Sequence, residues 1–265
     1  MPRPVTVTYR VLPTPAATAR AAAQLFSDVA SKVAAERGTA RIAISGGTTP
    51  KTMFQLLADP AEPFLKQVPW DRIELYWVDE RCVPPDNPES NYRMTKEALL
   101  SKVPLPAERV HRMEGELDPE VAAARYESVI RNTFKLEGAQ TPTFDLVLLG
   151  MGDDGHTASL FPHTEALNEM SHIVVPNHVP QKDTWRITLT WPVINQGREV
   201  AFLIEGAGKA QVLHDVFLGP YQPETHPSQL IRPASGRLAL LLDRAAAAKL
   251  PAPEDSDSTG ALELR

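Results

Sequence analysis

Residues 5–12 (VTVTYRVL) alternate apolar and polar side chains, the period-two pattern of a strand with one buried face. Residues 18–37 form a long Ala-rich helical pattern with Leu25, Phe26, Val29 and Val33 on one face, and Gly38 stands just past its end, where helices stop. Seven short runs follow that are β-branched or Leu-rich and almost continuously apolar: residues 41–45, 73–78, 144–150, 173–176, 186–190, 199–205 and 238–243. Such runs suit strands covered on both faces. Helical patterns lie between them at residues 50–58, 90–102, 119–136 and 209–218. Strand and helix alternate, so the fold class expected is α/β, a mainly parallel sheet with helices on both faces. Residues 1–248 read as a single domain without repeats or an internal linker. Residues 249–265 (KLPAPEDSDSTGALELR) are polar and Pro-rich, and a disordered tail is expected there.

Composition narrows the setting. The chain has 265 residues, 43% of them hydrophobic, enough to bury a large core without a disulfide or metal staple. Its one cysteine, Cys82, has no partner in the chain, which points to a reducing compartment. The N-terminus, MPRPVTVTYRVLPTP, lacks the apolar stretch of a signal peptide, and no run approaches the roughly 18 apolar residues of a membrane span. A cytoplasmic protein with no membrane partner is expected. A net charge of −6 argues against nucleic-acid partners. An anionic ligand would need a local cluster of cations and amides, because the global field repels it.

In an open parallel sheet, ligands bind beyond the carboxyl ends of the strands, and three post-strand loops stand out. The first is Ser45-Gly46-Gly47-Thr48-Thr49-Pro50. Its glycines let the backbone turn and present amides, with Thr49 as an expected N-cap and Pro50 at the first helical position. A helix N-terminus of this kind is a phosphate site, or else the loop is a plain strand-to-helix turn. It is not a nucleotide P-loop: Ser45 and Pro50 stand where glycines are required, and Pro50 has no N–H to give. The second loop carries Asp79, Glu80, Arg81 and Cys82. Arg81 there can hold a phosphate or stabilise an oxyanion; the alternative is a solvated charge cluster. Cys82 reads as a small buried hydrophobe or as a thiol activated by Arg81.

The third loop is Gly150-Met151-Gly152-Asp153-Asp154-Gly155-His156-Thr157. Its glycine spacing matches the dinucleotide fingerprint, but two aspartates would face a pyrophosphate with like charge. What remains is a loop that presents a histidine with two carboxylates. His156 can exchange protons and an aspartate can orient its ring; otherwise Asp154 and Thr157 cap a following helix. Lys209, in Gly206-Ala207-Gly208-Lys209, and Arg186 can add charge for a phosphate. The four tryptophans read as core. No histidine pair or cysteine cluster has metal-ligand spacing, and no serine-hydrolase elbow is present, so neither metal nor cofactor is expected.

Three stretches, SGGTTP, WVDERCVPPDNPESNYRM and FDLVLLGMGDDGHTASLFP, resemble the 6-phosphogluconolactonase family, which shares a fold with glucosamine-6-phosphate deaminase. The resemblance covers residues 41–213 and, more loosely, the whole chain. It implies a modified Rossmann-like domain and the hydrolysis of 6-phospho-D-glucono-1,5-lactone. It puts the phosphate at the loop of Ser45, Gly46, Gly47 and Thr48 with Lys209, the catalytic histidine on His156, and the family's DER acid and base on Asp79 and Arg81. The deaminase is the alternative, and a non-catalytic sugar-phosphate sensor a further one. Where the deaminase has a glutamate that supports its histidine, this chain has Phe161. The reading leaves open whether Asp153 or Asp154 orients His156, whether Arg81 serves phosphate or oxyanion, and the oligomeric state.

Overall fold

The computed structural model describes residues 5–234, 237–253 and 259–264. In chain order the elements are β1 (Val5–Leu12), α1 (Pro15–Arg37), β2 (Ala40–Ile44), α2 (Thr48–Leu57), α3 (Phe64–Gln67), β3 (Ile73–Trp77), β4 (Asp79–Arg81), α4 (Asn91–Thr95) and β5 (Val110–His111). There follow α5 (Pro119–Phe134), β6 (Leu146–Leu149), β7 (Val174–Val179), β8 (Thr184–Leu189), α6 (Trp191–Ile194), β9 (Glu199–Ile204), α7 (Ala210–Phe217), β10 (Arg237–Asp243) and β11 (Thr259–Leu264). Eight strands form one sheet in the order β11-β1-β10-β9-β6-β2-β3-β5, and every neighbouring pair is parallel except β11 with β1.

The continuous apolar runs are explained by burial on both faces. In β6, Val147 and Leu149 enter one core with α5 and α7, while Leu146 and Leu148 enter a second core with α1 and α2. All four are fully buried. Burying a side chain of this size contributes about 1.5–3 kcal/mol, so a polar residue anywhere in the strand is costly. The α1 N-cap is Thr14, whose side chain accepts from the Ala17 N–H, and Gly38 closes the helix at φ 84°, as its position predicted.

Three expectations are corrected. Residues 173–176 and 186–190 are not strands of the main sheet: β7 and β8 pair antiparallel with each other, and β8 with β4, in a separate three-stranded sheet. Apolar character cannot tell a central strand from one covering a sheet end. Within the expected disordered tail, Thr259–Leu264 forms β11, antiparallel to β1, with Leu262 and Leu264 buried. The alternating TGALEL pattern is that of an edge strand. Residues 254–258 and 265 lie outside the described residues. Finally, Trp185 is exposed, not core, and packs at a tilt against His178.

The order β9-β6-β2-β3 sets four parallel strands side by side, so their carboxyl ends open on one edge. The loops after them, far apart in sequence, meet there.

Candidate active site

These loops enclose a cavity of about 420 Å³. Ser45, Gly46, Gly47 and Thr48 line it from β2, Asp79 and Arg81 from β4, His156 from the loop after β6, Arg186 from β8 and Lys209 from the turn after β9. Of the candidate residues, Asp153 and Asp154 do not line the cavity; Asp154 reaches it through His156 and Asp153 through Lys209.

The first loop bends at Gly47, whose φ of 116° is a conformation that side chains with a Cβ rarely adopt, and Gly47 itself is the N-cap of α2. Thr49 is therefore not the cap: it lies in the first turn, and its Oγ1 donates to Glu205 Oε2 at 2.8 Å. No side chain caps α2, which leaves its first amides to a ligand. Ser45 is buried at 4% exposure and its Oγ has no hydrogen-bond partner among the described residues. An orphaned hydroxyl beside uncapped helix amides fits an anion site. Gly46 is required for a different reason: a Cβ there would lie 1.9 Å from Asn91 Oδ1.

The second loop is neither solvated nor a plain charge cluster. Asp79 and Glu80 are both buried. Glu80 accepts from the N–H groups of Arg81, Asn91 and Tyr92 and from Ser90 Oγ, tying β4 to the start of α4. Asp79 Oδ2 accepts from Ser159 Oγ at 2.7 Å, joining β4 to the loop that carries His156. Arg81 and Arg186 sit opposite each other in the β4–β8 register. Among the described residues neither forms an ion pair; Arg81 donates to Glu89 O, and Arg186 to Thr184 Oγ1 and Trp185 O. Burial, and after it the charge of Arg81, pulls the Arg186 pKa below its ordinary value. Two guanidiniums side by side at a cavity wall, neither held in an ion pair among the described residues, favour an anion there. Burial pushes the Cys82 thiol up to about 11, so it is not an activated nucleophile despite its arginine neighbour.

The third loop resolves which aspartate serves His156. Asp154 Oδ1 lies 2.5 Å from His156 Nδ1 and also accepts from the His156 backbone N–H at 3.1 Å. Partial burial works against ionisation of Asp154, but the hydrogen bond and charge of His156 outweigh it and hold its pKa at about 2. Asp153 points elsewhere, to Lys209 Nζ at 2.5 Å. That pair is open to solvent on the Asp153 side, where ion pairs contribute about 0–1 kcal/mol, so an arriving anion can compete for Lys209. No α-helix follows the loop, so neither Asp154 nor Thr157 is a helix cap; the chain makes turns and a short 3-10 segment at Glu165–Asn168.

Sequence reasoning missed several lining residues. Asn91 donates to Asp79 O at 3.0 Å. Lys182 brings a further cation, and Glu205 a carboxyl whose Oε1 is buried and without a partner among the described residues; burial, and then nearby Asp243, raises its pKa. Phe161 stacks on the His156 ring with centroids 3.9 Å apart. Nothing in composition singles out Asn91, Lys182 or Glu205; the sequence marks Phe161 only as the departure from the deaminase glutamate and does not foretell its place on the histidine ring.

A family described as glucosamine-6-phosphate isomerases/6-phosphogluconolactonase matches residues 13–240. A 6-phosphogluconolactonase of Synechocystis sp. is 43% identical over 222 residues, 83% of this chain and 88% of the relative. The solved structure of 6-phosphogluconolactonase from Trypanosoma cruzi superposes with a TM-score of 0.79 at 30% identity, covering 91% of this chain and 96% of the other. A monomeric glucosamine-6-phosphate deaminase, at 20% identity and a TM-score of 0.75 over 91% of this chain and 99% of its own, shares the fold. The chain belongs to the glucosamine-6-phosphate isomerase/6-phosphogluconolactonase family.

Proposed function

We propose that this protein hydrolyses 6-phospho-D-glucono-1,5-lactone to 6-phosphogluconate, a step of the oxidative pentose phosphate pathway, by general acid–base catalysis with water as nucleophile. The observation that carries this is the Asp154–His156 pair at the wall of an anion-accepting cavity. With Nδ1–H donated to an ionised Asp154, neutral His156 presents the Nε2 lone pair to the cavity. Nε2 takes a proton from water as the water oxygen bonds to the lactone carbonyl carbon. The tetrahedral oxyanion then collapses, the bond from that carbon to the ring oxygen breaks, and Nε2–H returns the proton to the leaving oxygen. Proton transfer of this kind contributes about 10²–10⁴-fold. Asp154, with a pKa of about 2, stays ionised throughout and favours the imidazolium between the two transfers.

Arg81, Arg186, Lys209 and residues 45–48 supply the positive charge and amides for the phosphate and the developing oxyanion. Anchoring the phosphate fixes the carbonyl relative to His156, so binding energy away from the reacting bond serves the chemistry. Asp79 acts through Ser159 to hold the histidine loop. We place the protein in the cytoplasm, acting on a small molecule, because its single cysteine, Cys82, has no partner in the chain and its substrate is a sugar phosphate; no helix among the described residues is long and apolar enough to cross a membrane.

The test generates the lactone in situ and follows its loss with wild type and His156→Ala after subtraction of spontaneous hydrolysis. Rapid turnover by wild type and near-complete loss in the variant are expected. A wild-type rate no faster than buffer refutes the reading, and turnover of glucosamine 6-phosphate would favour the deaminase instead.

A further inference from the structure

A hydrogen bond from Nδ1 fixes one point of an imidazole and leaves the ring plane free to swing about that bond. In this protein a second constraint is present. The Phe161 ring lies against His156 with centroids 3.9 Å apart and planes at 24°. Phe161 is itself buried, at 3% exposure, and takes the Lys182 ammonium 5.2 Å from its ring centre. Five positions separate Phe161 from His156, and the chain must fold back to bring them together. It does so through left-handed backbone at Ala158 (φ 48°) and a turn closed by Leu160 N–H donating to Thr157 O. Left-handed backbone outside glycine is uncommon and is retained where the surroundings over-determine it.

The loop between them is clamped. Ser159 donates its hydroxyl to Asp79 and its N–H to Thr188 Oγ1, and its carbonyl accepts from Asn177 Nδ2. All four of these residues are buried. A buried, polar clamp around one serine is more than is needed to close a turn, and what it holds in place is the aromatic ring over the histidine.

We propose that Phe161 is a positioning residue: its ring face sets the plane of the His156 imidazole and so, with Asp154, aims Nε2 into the cavity. This rests on the lactonase reading for its kinetic consequence but not for its geometry. Asp154 sets where the ring is held and Phe161 sets how it is turned. Losing the face leaves the phosphate anchors intact, because none of Arg81, Arg186, Lys209 or residues 45–48 depends on Phe161.

The experiment pairs kinetics with the proton resonances of the His156 ring, identified by their disappearance in His156→Ala. In wild type, ring current from Phe161 shifts them upfield. Phe161→Leu and Phe161→Met, the second closer in volume and equally without a ring, are expected to move them downfield. The same variants should lower kcat by about tenfold or more with KM within about twofold, the cost of a misaimed reacting atom. Phe161→Tyr, which keeps the ring, should restore both. The proposal is overturned if a folded Leu or Met variant keeps wild-type kcat, or loses kcat while the His156 resonances stay in place. Failure of the wild type to hydrolyse the lactone would refute the functional reading instead, and unshifted His156 resonances in the Leu and Met variants would still show that the two rings are not stacked.

Discussion

Gly152→Ala separates the geometry of the histidine–aspartate pair from everything else in the site. An ideal Cβ at Gly152 would lie 2.0 Å from His156 Nδ1, 2.1 Å from its Cε1 and 2.6 Å from Asp154 Oδ1. Non-bonded heavy atoms settle near 3.5–4 Å, so the ring must retreat by about 1.5 Å. Gly152 is not among the residues with positive φ, so alanine fits its backbone without strain. The cost therefore falls on the side chains that the methyl displaces, not on the fold. Misplacing a reacting group by about 1 Å costs on the order of 10²-fold, so kcat should fall about 100-fold, or roughly 2.7 kcal/mol of activation free energy. KM should stay within a few-fold, because the phosphate anchors belong to other loops, and Tm should hardly change. The assay is lactone loss under single-enzyme saturation, with thermal denaturation alongside. Gly208→Ala, whose Cβ meets nothing within 4 Å, is the control and should behave as wild type. A folded Gly152→Ala enzyme with kcat within a few-fold of wild type would show that the Asp154–His156 geometry does not govern the reaction.

Three further outcomes are expected. Arg186→Met removes a charged donor worth about 1.5–3 kcal/mol to a bound anion, so KM should rise about tenfold or more; Tm should not fall, because the lost charge is half-buried, faces Arg81 and forms no ion pair among the described residues, and burial and Arg81 outweigh the pull of Asp79 and Glu89. Asp154 has its pKa lowered from 3.8 to about 2, so its contribution to stability is present above about pH 4 and is lost as pH falls toward 2. The Tm gap between wild type and Asp154→Asn should accordingly be seen at pH 5–7 and narrow below pH 4; with the side chain 44% exposed, the contribution is about 1 kcal/mol or less. Truncation before β11 exposes the β1 edge and removes the burial contributed by Leu262 and Leu264, about 1.5–3 kcal/mol each, so Tm should drop and aggregation rise while the initial lactonase rate at 25 °C holds.

Much of the sheet was legible because a strand buried on both faces has to be apolar throughout, and 41–45, 73–78, 144–150, 199–205 and 238–243 are. The same reasoning misassigned β7 and β8, since a strand covering the sheet end is as apolar as one within it. It also missed β11, whose short alternating pattern is an edge strand set in a polar tail. The site loops could be found because glycine, histidine, arginine and aspartate after a strand are few and chemically distinctive. Residues 45–48, Arg81, Arg186, His156 and Lys209 all reach one cavity.

By itself the sequence determined the α/β class and the chemical inventory of the site, because periodicity and side-chain type are local properties of the chain. The tertiary structure decided the partnerships. It gave His156 to Asp154 and Lys209 to Asp153, put Arg81 opposite Arg186, buried Glu80 as a brace for α4 and turned Phe161 back over the imidazole. The reason is physical: adjacent aspartates are equivalent as letters and differ only in the direction their backbone points them. That direction is set by loops whose ends are fixed by strands far apart in sequence and adjacent in the sheet.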